Sequence, residues 1–85
     1  MSKTKTRSSA DRVRTIIAEM LCVDLTEVTP GASLNEHLGA DSIDFVEVCM
    51  SIEEAFHLNE ISDADAEKLL TVQSIIDYVD AHAEA

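Results

Sequence analysis

The residue best placed to take part in a chemical reaction is Ser42, in the stretch LGADSIDFVEV at residues 38–48. It lies between Asp41 and an apolar run, where the pattern predicts the N-terminus of a helix. The free backbone N–H groups and the dipole at such a terminus favour negative charge, so a phosphate on this hydroxyl would be stabilised. A serine beside an N-cap usually does no more than start a helix. With Gly39 and Ala40 leaving the approach open, however, the site suits a serine that another protein modifies with a phosphate group.

The composition predicts one small helical domain around this serine. The chain has 85 residues, enough for a single domain, and 46% of them are hydrophobic, which is typical of a folded protein. Two glycines and one proline leave few sharp turns and favour a helical bundle. A chain of this length can hold a small pocket but has little room for a catalytic cleft.

The charge of the chain is strongly negative and unevenly distributed. The net charge is −11, yet five of the six basic residues lie within the first fourteen. After residue 14 there are 16 acids and a single base, Lys68. Such a body repels nucleic acid and anionic membranes and attracts proteins with basic patches. Charge alone favours the simpler interpretation, a solvated surface that aids solubility.

The two cysteines and the N-terminus bear on where the protein works. Cys22 and Cys49 provide no disulfide framework, and both fall within apolar stripes, so we expect small core side chains. The segment MSKTKTRSSA lacks the apolar centre of a signal peptide, and no apolar run reaches transmembrane length. We therefore predict a cytoplasmic protein with a flexible segment at residues 1–8 and one domain at residues 9–85.

Hydrophobic periodicity predicts a first helix and a long loop. Residues 8–23 follow a helical pattern with Ser8 or Ser9 as N-cap. Its buried face is predicted to contain Val13, Ile16, Ile17, Met20 and Leu21. Pro30 and Gly31 then interrupt the connection from 24 to 40. We expect its apolar residues to fasten this loop to the core: Leu25, Val28, Leu34 and Leu38.

The second predicted helix follows Asp41, whose spacing to Asp44 is typical of a capping box, and it ends near Phe56. Two apolar stripes share this helix, so we predict that it is buried over a wide arc. One stripe contains Ile43, Val46 and Met50. The other contains Phe45, Val48, Cys49, Ile52 and Phe56. The remaining face is acidic, with Asp44, Glu47 and Glu54 exposed and Glu53 beside them.

Two further helices complete the predicted fold. Ser62 and Asp65 have the spacing of a cap for a short helix, and Thr71 can cap a last one. The last helix should bury Val72, Ile75, Ile76 and Val79. There is no strand signal. The sequence thus predicts an all-α, four-helix bundle, with three longer helices, a short one and a long loop after the first.

These residues resemble the acyl carrier proteins of the dissociated, type II fatty-acid-synthase class. LGADSIDFVEVCMSIEEAF resembles the modification motif of that family, in which Asp-Ser-Leu opens the second helix after Leu-Gly-Ala or Leu-Gly-Gly. The likeness continues through AEKLLTVQSIIDYVDAH and covers residues 9–84. The motif is specific when it occurs with a four-helix pattern, an acidic second helix and this length.

The resemblance implies a carrier that is not itself an enzyme. In the family, a serine matched by Ser42 holds a 4′-phosphopantetheine arm through a phosphodiester. An aspartate precedes that serine, and Asp41 matches it. The arm carries acyl groups as thioesters between separate enzymes of fatty-acid or related lipid biosynthesis. The implied partners are a phosphopantetheinyl transferase and acyl-processing enzymes with basic patches. The resemblance also implies that the carrier itself is a monomer.

The resemblance also assigns two surfaces. The recognition face that docks on partner enzymes matches Asp44, Glu47, Glu53, Glu54, Ile43, Val46 and Met50. For Glu53, a solvated side chain is an equal alternative. The acyl pocket matches Leu34, Phe45, Ile52, Ile61 and Leu69.

Four positions depart from the family pattern. Ile43 follows the serine where leucine is usual, which leaves the choice of transferase open. Phe45 replaces a threonine at the pocket entrance, and Leu34 and Asn35 replace larger apolar residues. One hypothesis is a reshaped pocket, filled in part by Phe45 and opened by Leu34; ordinary core compensation is the alternative.

Other functions fit the residues less well. The acids of DADAEK lack the glycine and the distal glutamate of a calcium loop. His37 and His57 have no partner at metal-ligand spacing, so we expect surface residues and no metal site. An enzyme would need a base beside Ser42, and none is placed there. A peptidyl or aryl carrier would have a Gly-Gly-His/Asp-Ser-Leu motif. A carrier for a polyketide or other specialised pathway and an unmodified interaction domain remain as alternatives.

Overall fold

The computed structural model describes residues 9–82 and contains four α-helices. They are α1 (Ser9–Leu21), α2 (Ser42–Phe56), α3 (Asp63–Ala66) and α4 (Val72–His82), and a short 3-10 helix, Leu25–Glu27, lies in the long loop. Within residues 9–82 there is no strand, only an isolated bridge between Ser33 and Thr71. The predicted all-α fold, with three longer helices and a short one, is confirmed.

The core lies between α1, α2 and α4. Helix α1 packs against both α2 and α4. The buried side chains of α1 include Val13 and Ile17, as the periodicity predicts, whereas Ile16, Met20 and Leu21 are half-buried at the edge of the core. The largest fully buried side chains are Ile17, Ile52, Ile75, Val13, Val28, Val48, Val72 and Val79.

The start and end of α1 differ from the prediction. Ser9 is the first residue of the helix rather than its cap, and its hydroxyl donates a hydrogen bond to Asp80 of α4. Ser8 lies outside the described residues. Cys22 is exposed, which contradicts its predicted place in the core. The chain turns into the left-handed region there, with φ 57°, and this rotates the side chain off the buried stripe.

The long loop is fastened to the core by three of its four predicted residues. Val28, Leu34 and Leu38 are buried, whereas Leu25 is 44% exposed, so its prediction was wrong. Leu25 begins the 3-10 helix and contributes its carbonyl instead. Arg14 of α1 donates Nε to the Val28 carbonyl at 2.7 Å and Nη2 to the Leu25 carbonyl at 3.1 Å.

The later helices begin as predicted. Ser62 Oγ accepts a hydrogen bond from the Asp65 N–H at 3.1 Å, and Thr71 Oγ1 accepts from the Ser74 N–H at 3.1 Å. The acidic segment weighed as a calcium loop forms α3 rather than a loop. The four predicted apolar residues of α4 are all buried. Ala66 of α3, with Leu69 and Leu70 of the connection to α4, lies beside Ser42 at the start of α2.

Candidate functional site

The loop before α2 is held in a fixed path. The Ala40 N–H donates to the Leu34 carbonyl at 2.8 Å, and Asn35 Nδ2 donates to the Ala40 carbonyl at 3.1 Å. Gly39 has φ +74°, a conformation in which any side chain would be strained. The turn at this glycine therefore delivers the start of α2 in a defined orientation.

Helix α2 begins with the predicted capping box. The Asp41 carboxylate accepts from the Asp44 N–H at 2.9 Å, and the Asp44 carboxylate accepts from the Asp41 N–H at 3.4 Å. The first intrahelical bond runs from the Phe45 N–H to the Asp41 carbonyl at 2.9 Å. Both aspartates are thus occupied in setting the helix start, and Ser42 becomes its first residue.

Ser42 is exposed and chemically available. Within residues 9–82, its hydroxyl has no hydrogen-bond partner. The first N–H groups of a helix lack intrahelical partners, and the cap occupies that of Asp44, so those of Ser42 and Ile43 are left to receive an anion. A phosphate ester on this hydroxyl therefore fits the local geometry.

One apolar stripe of α2 is exposed, contrary to the prediction of a wide buried arc. Ile43, Val46 and Met50 are 70%, 53% and 60% exposed. The other stripe takes the core side, where Val48, Cys49, Ile52 and Phe56 are buried and Phe45 is half-buried. Periodicity could not separate the two because both stripes have helical spacing. The exposed apolar stripe and the exposed Glu47 and Glu54 share the outward side of α2.

Glu53 differs from its acidic neighbours. It is half-buried, and its Oε2 accepts a hydrogen bond from the Ile61 N–H at 2.7 Å. Ile61 is buried and lies two residues before α3. Glu53 therefore fastens the α2–α3 loop, whereas its assigned docking role stays a prediction.

A cleft of about 400 Å³ opens beside Ser42. Three of the five predicted pocket residues line it, Leu34, Phe45 and Leu69, whereas Ile52 and Ile61 are buried in the core and do not. The prediction overlooked several of its walls. The full lining consists of Ser33, Leu34, Asn35, Ala40, Asp41, Ser42, Phe45, Ala66, Glu67, Leu69 and Leu70.

Leu70 is the most informative of the missed residues. It is 66% exposed, although Leu69 beside it is buried. Its position immediately before the cap Thr71 could have indicated this exposure, because the chain passes from one helix to the next there and adjacent leucines point apart. An exposed leucine at the rim adds apolar surface to the cleft.

The two side chains with raised pKa values, Cys49 and Tyr78, do not line the cleft beside Ser42. Cys49 is buried, as predicted; burial, and then the charge of Glu53, raise the pKa of its thiol to about 11. Burial also raises the pKa of Tyr78, followed by the charges of Asp65 and Glu53.

The histidines are placed as predicted. His37 and His57 are exposed, with the His37 ring accepting from the Ser33 N–H at 2.7 Å. In the described part of the chain, no three potential ligands come together for a metal ion. Nor is any helix of that part long and apolar enough to cross a membrane.

Two comparisons with known proteins agree with this geometry. The family model described as "Phosphopantetheine attachment site" matches residues 11–79. The fold is similar to the solution structure of the apo doublet acyl carrier protein from prodigiosin biosynthesis, with a TM-score of 0.80 and 20% sequence identity. That alignment covers all of this chain and 40% of the doublet chain, so this chain spans less than half the length of that protein. The chain therefore belongs to the family of phosphopantetheine attachment domains and has the fold of an acyl carrier protein, which confirms the predicted resemblance.

Proposed function

We propose that Ser42 carries the 4′-phosphopantetheine arm and that the protein presents acyl groups to separate enzymes. The observation that carries this proposal is the exposed, unpartnered hydroxyl at the first position of α2. The Ser42 and Ile43 N–H groups can donate to the phosphodiester. Asp41 caps α2 and so fixes the orientation of these two groups. When bound, the arm supplies a thiol that holds acyl groups as thioesters.

The outward side of α2 is the proposed docking face. Ile43, Val46 and Met50 offer apolar contact beside the arm, and Glu47 and Glu54 offer exposed negative charge. An exposed ion pair contributes only roughly 0–1 kcal/mol, but a cluster of charges accelerates encounter with a basic partner. Such a face suits brief contacts with many enzymes. Its partners are a phosphopantetheinyl transferase and acyl-processing enzymes with basic patches.

The proposed setting is fatty-acid or related lipid biosynthesis, with the carrier monomeric, cytoplasmic and without catalysis of its own. The apolar cleft beside Ser42 and the acidic face of α2 support this assignment. The excess of acids after residue 14 disfavours nucleic acid and anionic membranes as partners. A carrier for a polyketide or other specialised pathway is the second candidate, because Phe45 narrows the cleft and Ile43 follows the serine.

The attachment is tested by intact mass before and after incubation with coenzyme A and a broad-specificity phosphopantetheinyl transferase. We expect the wild-type chain to gain the mass of one phosphopantetheine and Ser42→Ala to gain none. Ser51→Ala, which removes another serine of α2, is the matched control and should gain the arm. Modification of the Ser42→Ala variant, or no modification of folded wild-type protein by any transferase of its source, would support an unmodified interaction domain instead.

A further inference from the structure

The cleft beside Ser42 is limited along α2. It touches this helix only at Ser42 and Phe45, and neither Val48 nor Ile52, further along the same face, lines it. Residues three apart lie about 4.5 Å apart along a helix axis. The cleft therefore ends within the first turn of α2, well before the buried side chain of Ile52.

Phe45 closes the cleft on the α2 side. Its half-buried ring lines the cleft and also packs against the buried cluster that includes Ile52 and Ile61. Leu34 and Leu69, which are almost fully buried, form apolar walls, and the exposed Leu70 extends the rim. A chain that entered beside Ser42 and ran along α2 would meet the ring of Phe45.

The chemistry of the cleft favours an aliphatic occupant. Most of its side chains are apolar, and its amide, Asn35, already donates to the Ala40 carbonyl. The charged groups in its lining, Asp41 and Glu67, are both carboxylates, so a negatively charged occupant would be repelled. Because Ser42 lies at the same cleft, the nearest candidate occupant is the acyl end of an arm attached there and folded back.

We infer that Phe45 limits the length of the acyl chain that this protein can shelter. The inference rests on the proposed attachment at Ser42. Carbons beyond the ring of Phe45 remain in solvent, so lengthening the chain past that point adds no burial. A smaller residue at position 45 would free the volume that the ring now fills at the α2 side of the cleft.

The test measures thioester hydrolysis on carriers loaded with straight-chain acyl groups from acetyl to decanoyl. In the wild-type carrier, hydrolysis should slow as the chain grows and then become independent of length before decanoyl is reached. In Phe45→Ala it should continue to slow, by about fourfold for each further methylene that becomes buried. Phe45→Leu opens the cleft less and should shift the plateau by a smaller amount.

The matched control is Phe56→Leu, which makes the same change at the far end of α2, where Phe56 is buried away from the cleft. It should keep the wild-type plateau, and thermal melting verifies that each variant is folded. If the wild-type rate keeps falling through decanoyl, or if neither Phe45 variant moves the plateau, the inference is wrong. Intact mass after loading separates the two proposals: without an arm on Ser42 the proposed function itself fails, and this inference fails with it.

Discussion

The hydrogen bond between Glu53 and Ile61 separates the acids of α2 into two kinds. Glu53 is half-buried and accepts from the Ile61 N–H at 2.7 Å, whereas the adjacent Glu54 is exposed. Replacing Glu53 by alanine removes the acceptor and leaves the backbone donor of a buried residue unpaired. We predict that Glu53→Ala loosens the α2–α3 loop and destabilises the fold, and that Glu54→Ala does not.

The expected magnitude follows from the burial of the partner. A buried donor left without an acceptor costs about 1–3 kcal/mol. In a domain of this size, each kcal/mol lowers the melting temperature by about 4–8 °C, so Glu53→Ala should melt at least about 4 °C lower. Glu54→Ala removes an exposed side chain and should change the free energy of unfolding by no more than about 0.5 kcal/mol.

The assay is reversible thermal and urea unfolding of the wild type and both variants. Glu53→Gln, which retains an acceptor oxygen but no charge, should lie between the wild type and Glu53→Ala. Docking provides the complementary measurement, because Glu54→Ala should weaken binding to a basic partner enzyme while the fold is unchanged. Equal melting temperatures for Glu53→Ala and Glu54→Ala would refute the structural role of Glu53.

Three further predictions follow from the same structure. Asp41→Ala removes the cap of α2 and should lower the free energy of unfolding by about 0.5–2 kcal/mol in urea titrations, and unchanged stability would contradict the capping geometry. Because the folded-state pKa of Cys49 is raised to about 11 from 9.0, its contribution to stability should be constant below pH 9 and fall as the pH rises from 9 towards 11; Cys49→Val should lose the fall between pH 9 and 10, before the raised pKa of Tyr78 adds a fall of its own, and Cys22→Ser should retain it. Glu47→Gln should weaken binding to a basic partner by up to about fivefold. Stopped-flow mixing should show that the variant associates more slowly than the wild type, and that this difference shrinks at high salt. A decrease in association rate that is the same at all salt concentrations would contradict electrostatic steering.

The local signals of the sequence predicted the helix starts well. The predicted caps Asp41, Ser62 and Thr71 all precede helix starts in the structure and accept from the N–H three residues on. These signals succeed because a cap depends on side chains within one turn of the backbone. For the first helix the predicted cap was Ser8 or Ser9: Ser8 lies outside the described residues, and Ser9 is already within α1 and contacts Asp80, 71 residues away.

The burial of α2 could not be read from its periodicity. Ile43, Val46 and Met50 have the same helical spacing as the core stripe, and only the packing of α1 against α2 decides which stripe is covered. The resemblance to carrier proteins assigned this stripe to docking, and its exposure is consistent with that assignment. The prediction that Cys22 is buried was wrong for a related reason, because this residue has a left-handed conformation after the end of α1 and breaks the helical register.

The cleft was predictable in part. Leu34, Phe45 and Leu69 were assigned to it, but Ile52 and Ile61 lie in the core. The sequence does not reveal where a cavity stops, because that depends on how a single ring such as Phe45 is placed against its neighbours. Leu70 was missed because its exposure depends on the turn between α3 and α4.

The most direct test of the central claim is peptide mass spectrometry of the protein isolated from its own source. The peptide that contains Ser42 should carry phosphopantetheine, free or acylated, and fragmentation should assign the phosphodiester to that hydroxyl. An arm on a different residue, or a Ser42 peptide that is unmodified in all of the isolated protein, would contradict the account.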